Sequence, residues 1–219
     1  MRVHTLDSNI FKECNFFKTL KELKLSKFIC TPSKRVYPTF VKMFFSNLHP
    51  TDGIIHTEVR KHHINLSIEY FGRIIYLPYQ NQPMEENNFD FVPETLSLIK
   101  KPSSYVPYPL EIKHIHPENR LNHYVFSHTL FPRKGILEHL NQMKVRTMWS
   151  LENKVTVNWA KQVIKHMIDC RKEKKSLPYK NLVTKILEET RYDLQNEEFR
   201  ENSTIVEKYI LSQIKIRLT

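Results

Sequence analysis

Hydrophobic and polar positions recur along this chain with two periods, and the longer one dominates. From residue 158 the chain reads NWAKQVIKHMIDCRKEKKSLPYKNLVTKILE. Ala160, Val163, Ile164 and Met167 fall at i, i+3, i+4 and i+7, the spacing of one buried helix face, with Lys161, Lys165 and Asp169 opposite. After Pro178, Leu182, Val183, Ile186 and Leu187 repeat the stripe. Proline suits a first helical turn because its missing N–H would have no helical partner there. The same period predicts helices over 9–24, 39–48, 94–100, 118–131, 137–151 and 204–216, and a helix capped by Ser67 that runs to Tyr76. The 39–48 helix carries Phe40, Val41, Phe44 and Phe45 around much of its circumference, which places it centrally.

The period of two is confined to a short region. Ile55, Thr57 and Val59 alternate with His56 and Glu58, so 54–60 and 64–66 read as a β-hairpin. Pro50 to Gly53 reads as a turn and Phe28 to Cys30 as a short strand. Residues 80–117 break every pattern, with prolines at 83, 93, 102, 107, 109 and 117. The expected fold is mainly α: a helical two-lobed domain with a small β-hairpin in the N-terminal lobe. Its divisions are an N-terminal lobe (1–79), a proline-rich, partly ordered connection (80–117) and a C-terminal helical lobe (118–219).

Composition sharpens this picture. Three glycines in 219 residues argue for helix, since helical folds need few left-handed turns. They also exclude glycine-rich phosphate loops. Cys14, Cys30 and Cys170 have no CxxC spacing and read as reduced thiols, which fits a nuclear or cytoplasmic setting. No apolar run spans a bilayer, and the first residues, MRVHTLDSN, lack the apolar core of a signal peptide, so no membrane partner is expected.

Net charge is +11, which favours polyanionic partners. The densest charge falls between the two helices of the opening pattern. From Val157 to Arg191 there are nine Lys or Arg and four Asp or Glu, a net of +5. Arg171, Lys172, Lys174, Lys175 and Lys180, with Tyr179 as a stacking ring, are the candidate nucleic-acid contacts. Set against that, cations are common at helix ends, where they do nothing more specific than meet solvent.

Other chemistry is poorly represented. The 11 histidines include His62–His63, His114-x-His116, His123 and His128, but they lack the paired Cys/His spacing of a zinc site, so no metal is expected. The five aspartates are scattered, which argues against a two-metal nuclease. His166 and Cys170, at i and i+4, read as a buried histidine and thiol rather than a nucleophile and its base. No catalytic residues and no cofactor are expected.

Four segments carry a resemblance: VYPTFVKMFFSNL (36–48), HTEVRKHHINLSIEYFGRIIYLP (56–78), NHYVFSHTLFPRKG (122–135) and VNWAKQVIKHMIDCRKEKKSLPYKNLVTKIL (157–187). In this order they resemble the plant transposon protein domain, found in plant proteins linked to retroelements. The resemblance covers about 11–189. Members typically read YP-x-LV-x-FY-x-NL, EV-x-G-x-x-I-x-L and LPYG-x-L-I-T. This chain has Lys61 and Lys180 at the two glycine positions. A glycine at the first would suit a tight hairpin turn of positive φ. The resemblance brings no catalytic residues. It implies a retroelement-derived domain; taken with the basic interhelix turn, the leading expectation is a non-enzymatic domain that associates with nucleic acid through that turn. The alternative is a protein-interaction or gag-like assembly module that does not bind nucleic acid directly.

Overall fold

The computed structural model describes residues 4–6, 15–30, 35–51, 53–80, 82–84, 89–100, 110–132, 139–173, 177–201 and 204–206. The helices are α1 (Asn15–Glu22), α2 (Ser26–Cys30), α3 (Pro38–Asn47), α4 (Ile68–Ile75), α5 (Phe91–Leu98), α6 (Pro117–His128), α7 (Gln142–Glu152), α8 (Trp159–Lys172) and α9 (Lys180–Glu189). The strands are β1 (His4–Leu6), β2 (Arg35–Val36), β3 (His49–Thr51), β4 (Ile54–Val59), β5 (His62–Ser67), β6 (Leu110–Glu111), β7 (His139–Leu140), β8 (Arg200–Glu201) and β9 (Thr204–Val206).

The expectation of a mainly α chain is corrected here: the fold is mixed α/β. Besides the hairpin β4–β5, β3 pairs antiparallel with β4, β1 runs parallel to β9, and β2–β8 and β6–β7 are antiparallel. Three of these sheets join segments of two or three residues from distant parts of the chain, too short to show a period. The glycine argument also misled. Among the described residues eight non-glycine positions have positive φ, among them Lys24, Arg60, Lys61, Tyr76 and Tyr179. Left-handed turns are therefore present and are made without glycine, at some steric cost.

Local corrections follow the same logic. Phe28 to Cys30 is helical, as part of α2. Pro50 lies in β3 rather than in a turn, and Thr51 pairs with Ile54 across the Asp52–Gly53 position, a dipeptide that favours hairpins. Thr204–Val206 is a strand, not the start of a helix, and 207–216 of that expected helix lie outside the described residues.

The main core draws on both sides of the proline-rich connection. Phe40, Phe44 and Phe45 of α3 share it with Ile55 and Val59 of β4, Phe71 and Ile75 of α4, Trp159 and Val163 of α8, and Val183 and Ile186 of α9, all buried. The residues after α4 are stitched to the start of α8. Asn158 Nδ2 donates to the Tyr79 carbonyl (2.6 Å), and the Ala160 and Asn158 amides donate to the Pro78 and Gln82 carbonyls. The described parts of the connection form a second, smaller cluster, in which Leu98, Ile99, Leu110 and Ile115 pack on Leu140, Val145 and Met148.

Two glycines have definite tasks. Gly53 has φ +76°. At Gly72 a Cβ would meet Tyr79 Cδ1 at 2.6 Å and the Leu77 carbonyl at 2.9 Å, so only glycine lets the chain fold back over α4. That reversal is set by Tyr76, left-handed at φ 59°, with the Leu77 amide donating to the Gly72 carbonyl.

Candidate nucleic-acid interface

The α8–α9 junction is where sequence places the contacts, and the structure uses much of it for packing. Asn158 caps α8, its Oδ1 accepting from the Lys161 amide at 2.9 Å. The Val163 face points inward, and Lys161, Lys165 and Asp169 point out. At the far end the Arg171 guanidinium reaches the C-terminus of α3, donating to the Ser46 carbonyl (3.1 Å) and the Leu48 carbonyl. A cation is favoured at those orphan carbonyls by hydrogen bonding and by the helix dipole.

Tyr179 is only 2% exposed. Its hydroxyl donates to the Leu130 carbonyl and lies 2.9 Å from His166 Nδ1. A hydroxyl has one proton, so His166 Nδ1 is the donor in that pair, and His166 Nε2 faces the Cys170 thiol at 3.5 Å. The phenol therefore joins the end of α6, α8 and the start of α9, and its ring is not presented to solvent. Lys172 is exposed and Lys180 half-buried. Lys174 and Lys175 lie outside the described residues. Of the six expected contacts, Tyr179 is buried, Arg171 is exposed but spends its guanidinium on the end of α3, and Lys172 and Lys180 lie at the surface.

A second basic cluster was not legible in the sequence. Lys27 of α2 and Lys185 of α9 both place Nζ over the Tyr76 ring, 3.7 and 3.4 Å from its centroid. Each is a cation–π contact. Burial pulls the Lys185 ammonium below its ordinary pKa, against the pull of Tyr76 and Glu189, and nearby Lys27 lowers it further. Tyr76 also lines an open groove of about 440 Å³ with Glu22, Lys24, Arg73, Tyr79 and Gln80, floored by Leu77, Val157 and Trp159. Arg73 is steadied by Tyr79 and Glu69. These cations come from three parts of the chain separated by up to 161 positions (Lys24 to Lys185), so no window of sequence unites them.

A third feature is a cavity of about 70 Å³ between α6, α7 and α8. His123, Ser127, Thr147, Gln162 and His166 are among its polar lining, with Asn141, Lys144, Lys165 and Asp169, and Phe126, Phe131, Met143 and Met148 are its apolar one. His123 Nε2 lies 3.1 Å from Ser127 Oγ. Burial, with Lys144 and His128 adding to it, pushes the His123 pKa down to about 3, so the imidazole is neutral at pH 7. Cys170 does not line this cavity.

Among the described residues no group of three or more His, Cys, Asp or Glu converges in a way that would hold a metal ion. Nor is any described helix long and apolar enough to cross a membrane.

No curated protein matches this chain, and no solved structure does. A family model described as "Putative plant retrotransposon-related domain" matches residues 21–193, which take in α2 through α9, the hairpin and both basic clusters. The chain, most of whose length that model covers, belongs to the plant retrotransposon-related domain family.

Proposed function

We propose that this retrotransposon-derived domain associates with nucleic acid, with little dependence on sequence and without catalysing a reaction, through the cations gathered at Tyr76. The observation that carries the reading is the pair of ammoniums over one ring, one of them partly desolvated. Holding like charges together is unfavourable by itself. A phosphodiester relieves that repulsion and releases its condensed counterions as it docks. Tyr76 positions the pair, and Lys24 and Arg73 add cations along the groove, where Glu22 is held by Lys154 and Arg73 by Glu69. A net charge of +11 adds long-range attraction for the polyanion. Lys172 and Lys180 at the α8–α9 junction add to the surface charge but meet no phosphate in this reading. The non-catalytic part is supported by the burial of Cys170 away from the cavity, since a nucleophile must reach its substrate.

The test is fluorescence anisotropy of labelled single-stranded and duplex oligonucleotides at low salt. The wild type should bind both, and Lys27→Ala/Lys185→Ala should bind about a hundredfold more weakly, the worth of two charge-assisted contacts of about 1.4 kcal/mol each. Equal binding by that variant, with an unchanged circular dichroism spectrum, would move the contact elsewhere. No binding by the wild type, together with light scattering that grows with protein concentration, would favour an assembly module instead.

A further inference from the structure

The exposed face of the three-stranded sheet holds a feature with no part in the reading above. His49 of β3 and His56 of β4 are direct cross-strand partners. The neighbouring pair is Pro50 with Ile55, and proline has no N–H to give, so His49 and His56 occupy the hydrogen-bonded type of position, with Cα atoms about 5.5 Å apart. Their rings lie 5.4 Å apart between centroids, with planes 22° from parallel.

Each ring is oriented by a second partner. His49 Nδ1 lies 2.9 Å from the Asn47 carbonyl, and His56 Nδ1 lies 2.7 Å from Asn65 Oδ1. Both partners only accept, so both Nδ1 atoms carry the proton. In the neutral rings each Nε2 then keeps its lone pair. This is the arrangement found behind metal-ligating histidines: one nitrogen donates to a carbonyl and the other is left basic and fixed in direction. Two imidazoles on one tetrahedral ion, each with an N–metal bond of about 2.0–2.1 Å, bring their ring centres to roughly 5 Å, close to the separation here.

We propose that His49 and His56 form a two-histidine site for a borderline divalent transition-metal ion, copper(II), nickel(II) or zinc(II), with water completing the coordination. Imidazole suits all three ions. Asn47 and Asn65 are positioning residues, because they touch the rings and not the ion. Binding would tie the short edge strand β3 to β4, so its consequence is structural: it links metal supply to the stability of the sheet on which α3 packs.

Calorimetric titration of the full chain with each metal chloride, separately, tests this. One equivalent should bind, with copper(II) tighter than nickel(II) or zinc(II). His49→Gln/His56→Gln should abolish that equivalent. Asn65→Ala should weaken it about 10- to 100-fold without removing a ligand. Copper(II) should raise the melting temperature of the wild type and leave that of the double variant unmoved. Uptake of one equivalent by the double variant as tightly as by the wild type would overturn the proposal. So would weak, multiple binding alone, or no uptake by the folded wild type.

Discussion

The two basic clusters differ in what holds their charges. At the α8–α9 junction the sequence is densest in Lys and Arg, yet Arg171 is bonded to the Ser46 and Leu48 carbonyls and Tyr179 is buried under Leu130 and His166. At Tyr76 the local sequence is ordinary in charge, yet Lys27 and Lys185 converge on one ring beside a groove. Density along the chain measures how many cations are made. Only the fold decides how many remain to meet a partner. In the first region polar groups are consumed in joining α3, α6, α8 and α9. In the second, two like charges are held together over one ring, with Glu189 drawing on Lys185.

The contrast breaks most readily at Tyr179. Tyr179→Phe leaves a buried carbonyl and the His166 Nδ1–H without their partner, so urea denaturation should show a loss of about 3 kcal/mol. Arg171→Ala should lose about 2 kcal/mol for the same kind of reason, a charged donor gone from two helix-end carbonyls. A loss below about 0.5 kcal/mol for both would mean that the junction is a surface feature after all, and its residues free to bind.

The cavity beside the junction gives a pH signature. The folded His123 pKa is about 3 and its ordinary value is 6.5. Below pH 6.5 the unfolded imidazole takes up a proton that the folded one refuses. The unfolded state then binds more protons, and stability falls as pH falls toward 3. At about 1.36 kcal/mol per pH unit, the chain should lose about 2 kcal/mol between about pH 6.5 and about pH 5. His123→Gln should flatten that slope, and a slope unchanged in the variant would show that His123 is not its source.

Lys61 sharpens the comparison from the other side, as a cation placed by a turn rather than by a ligand. Arg60 and Lys61 close the β4–β5 hairpin with φ of 46° and 66°. Arg60 is steadied over Phe40 and by Glu197, while Lys61 has no comparable ring or carboxylate among the described residues to offset its left-handed backbone. Lys61→Gly should raise stability by about 1 kcal/mol, read from the urea midpoint. At Lys180, the other position where the resemblance leads one to expect glycine, the left-handed residue is Tyr179 and the lysine begins α9 in ordinary helical geometry. Lys180→Gly should therefore give no such gain. The smallest effect belongs to Lys172→Ala, whose exposed side chain should change stability by less than about 0.5 kcal/mol.

These positions also show what could be read in advance. Long amphipathic stripes were legible: Ala160, Val163, Ile164 and Met167 are all buried, and Ser67 caps α4 by accepting from the Tyr70 amide. The alternation at Ile55, Thr57 and Val59 marks a strand with those residues buried. Strands of two or three residues carry no period, and their pairing is decided by chain segments far apart, as with Val36 and Arg200. The Tyr76 cluster was less legible for a physical reason. A lysine in a helix has the same pattern whether its ammonium meets water or an aromatic ring, so the Tyr76 cluster had no local signal. Tyr179, read as a stacking ring from its basic neighbours, is held inward by hydrogen bonds to Leu130 and His166 that lie 49 and 13 positions away.

The most direct test of the central claim is the salt dependence of oligonucleotide binding. If Lys24, Lys27, Arg73 and Lys185 each meet a phosphate of a single strand, log K should fall against log salt with a slope of about −2.8, from about −0.7 per contact. Lys27→Ala/Lys185→Ala should bring the slope to about −1.4, and Lys172→Ala/Lys180→Ala should leave it nearly where it was. A slope unchanged by loss of Lys27 and Lys185 but halved by loss of Lys172 and Lys180 would contradict the account and return the interface to the interhelix turn.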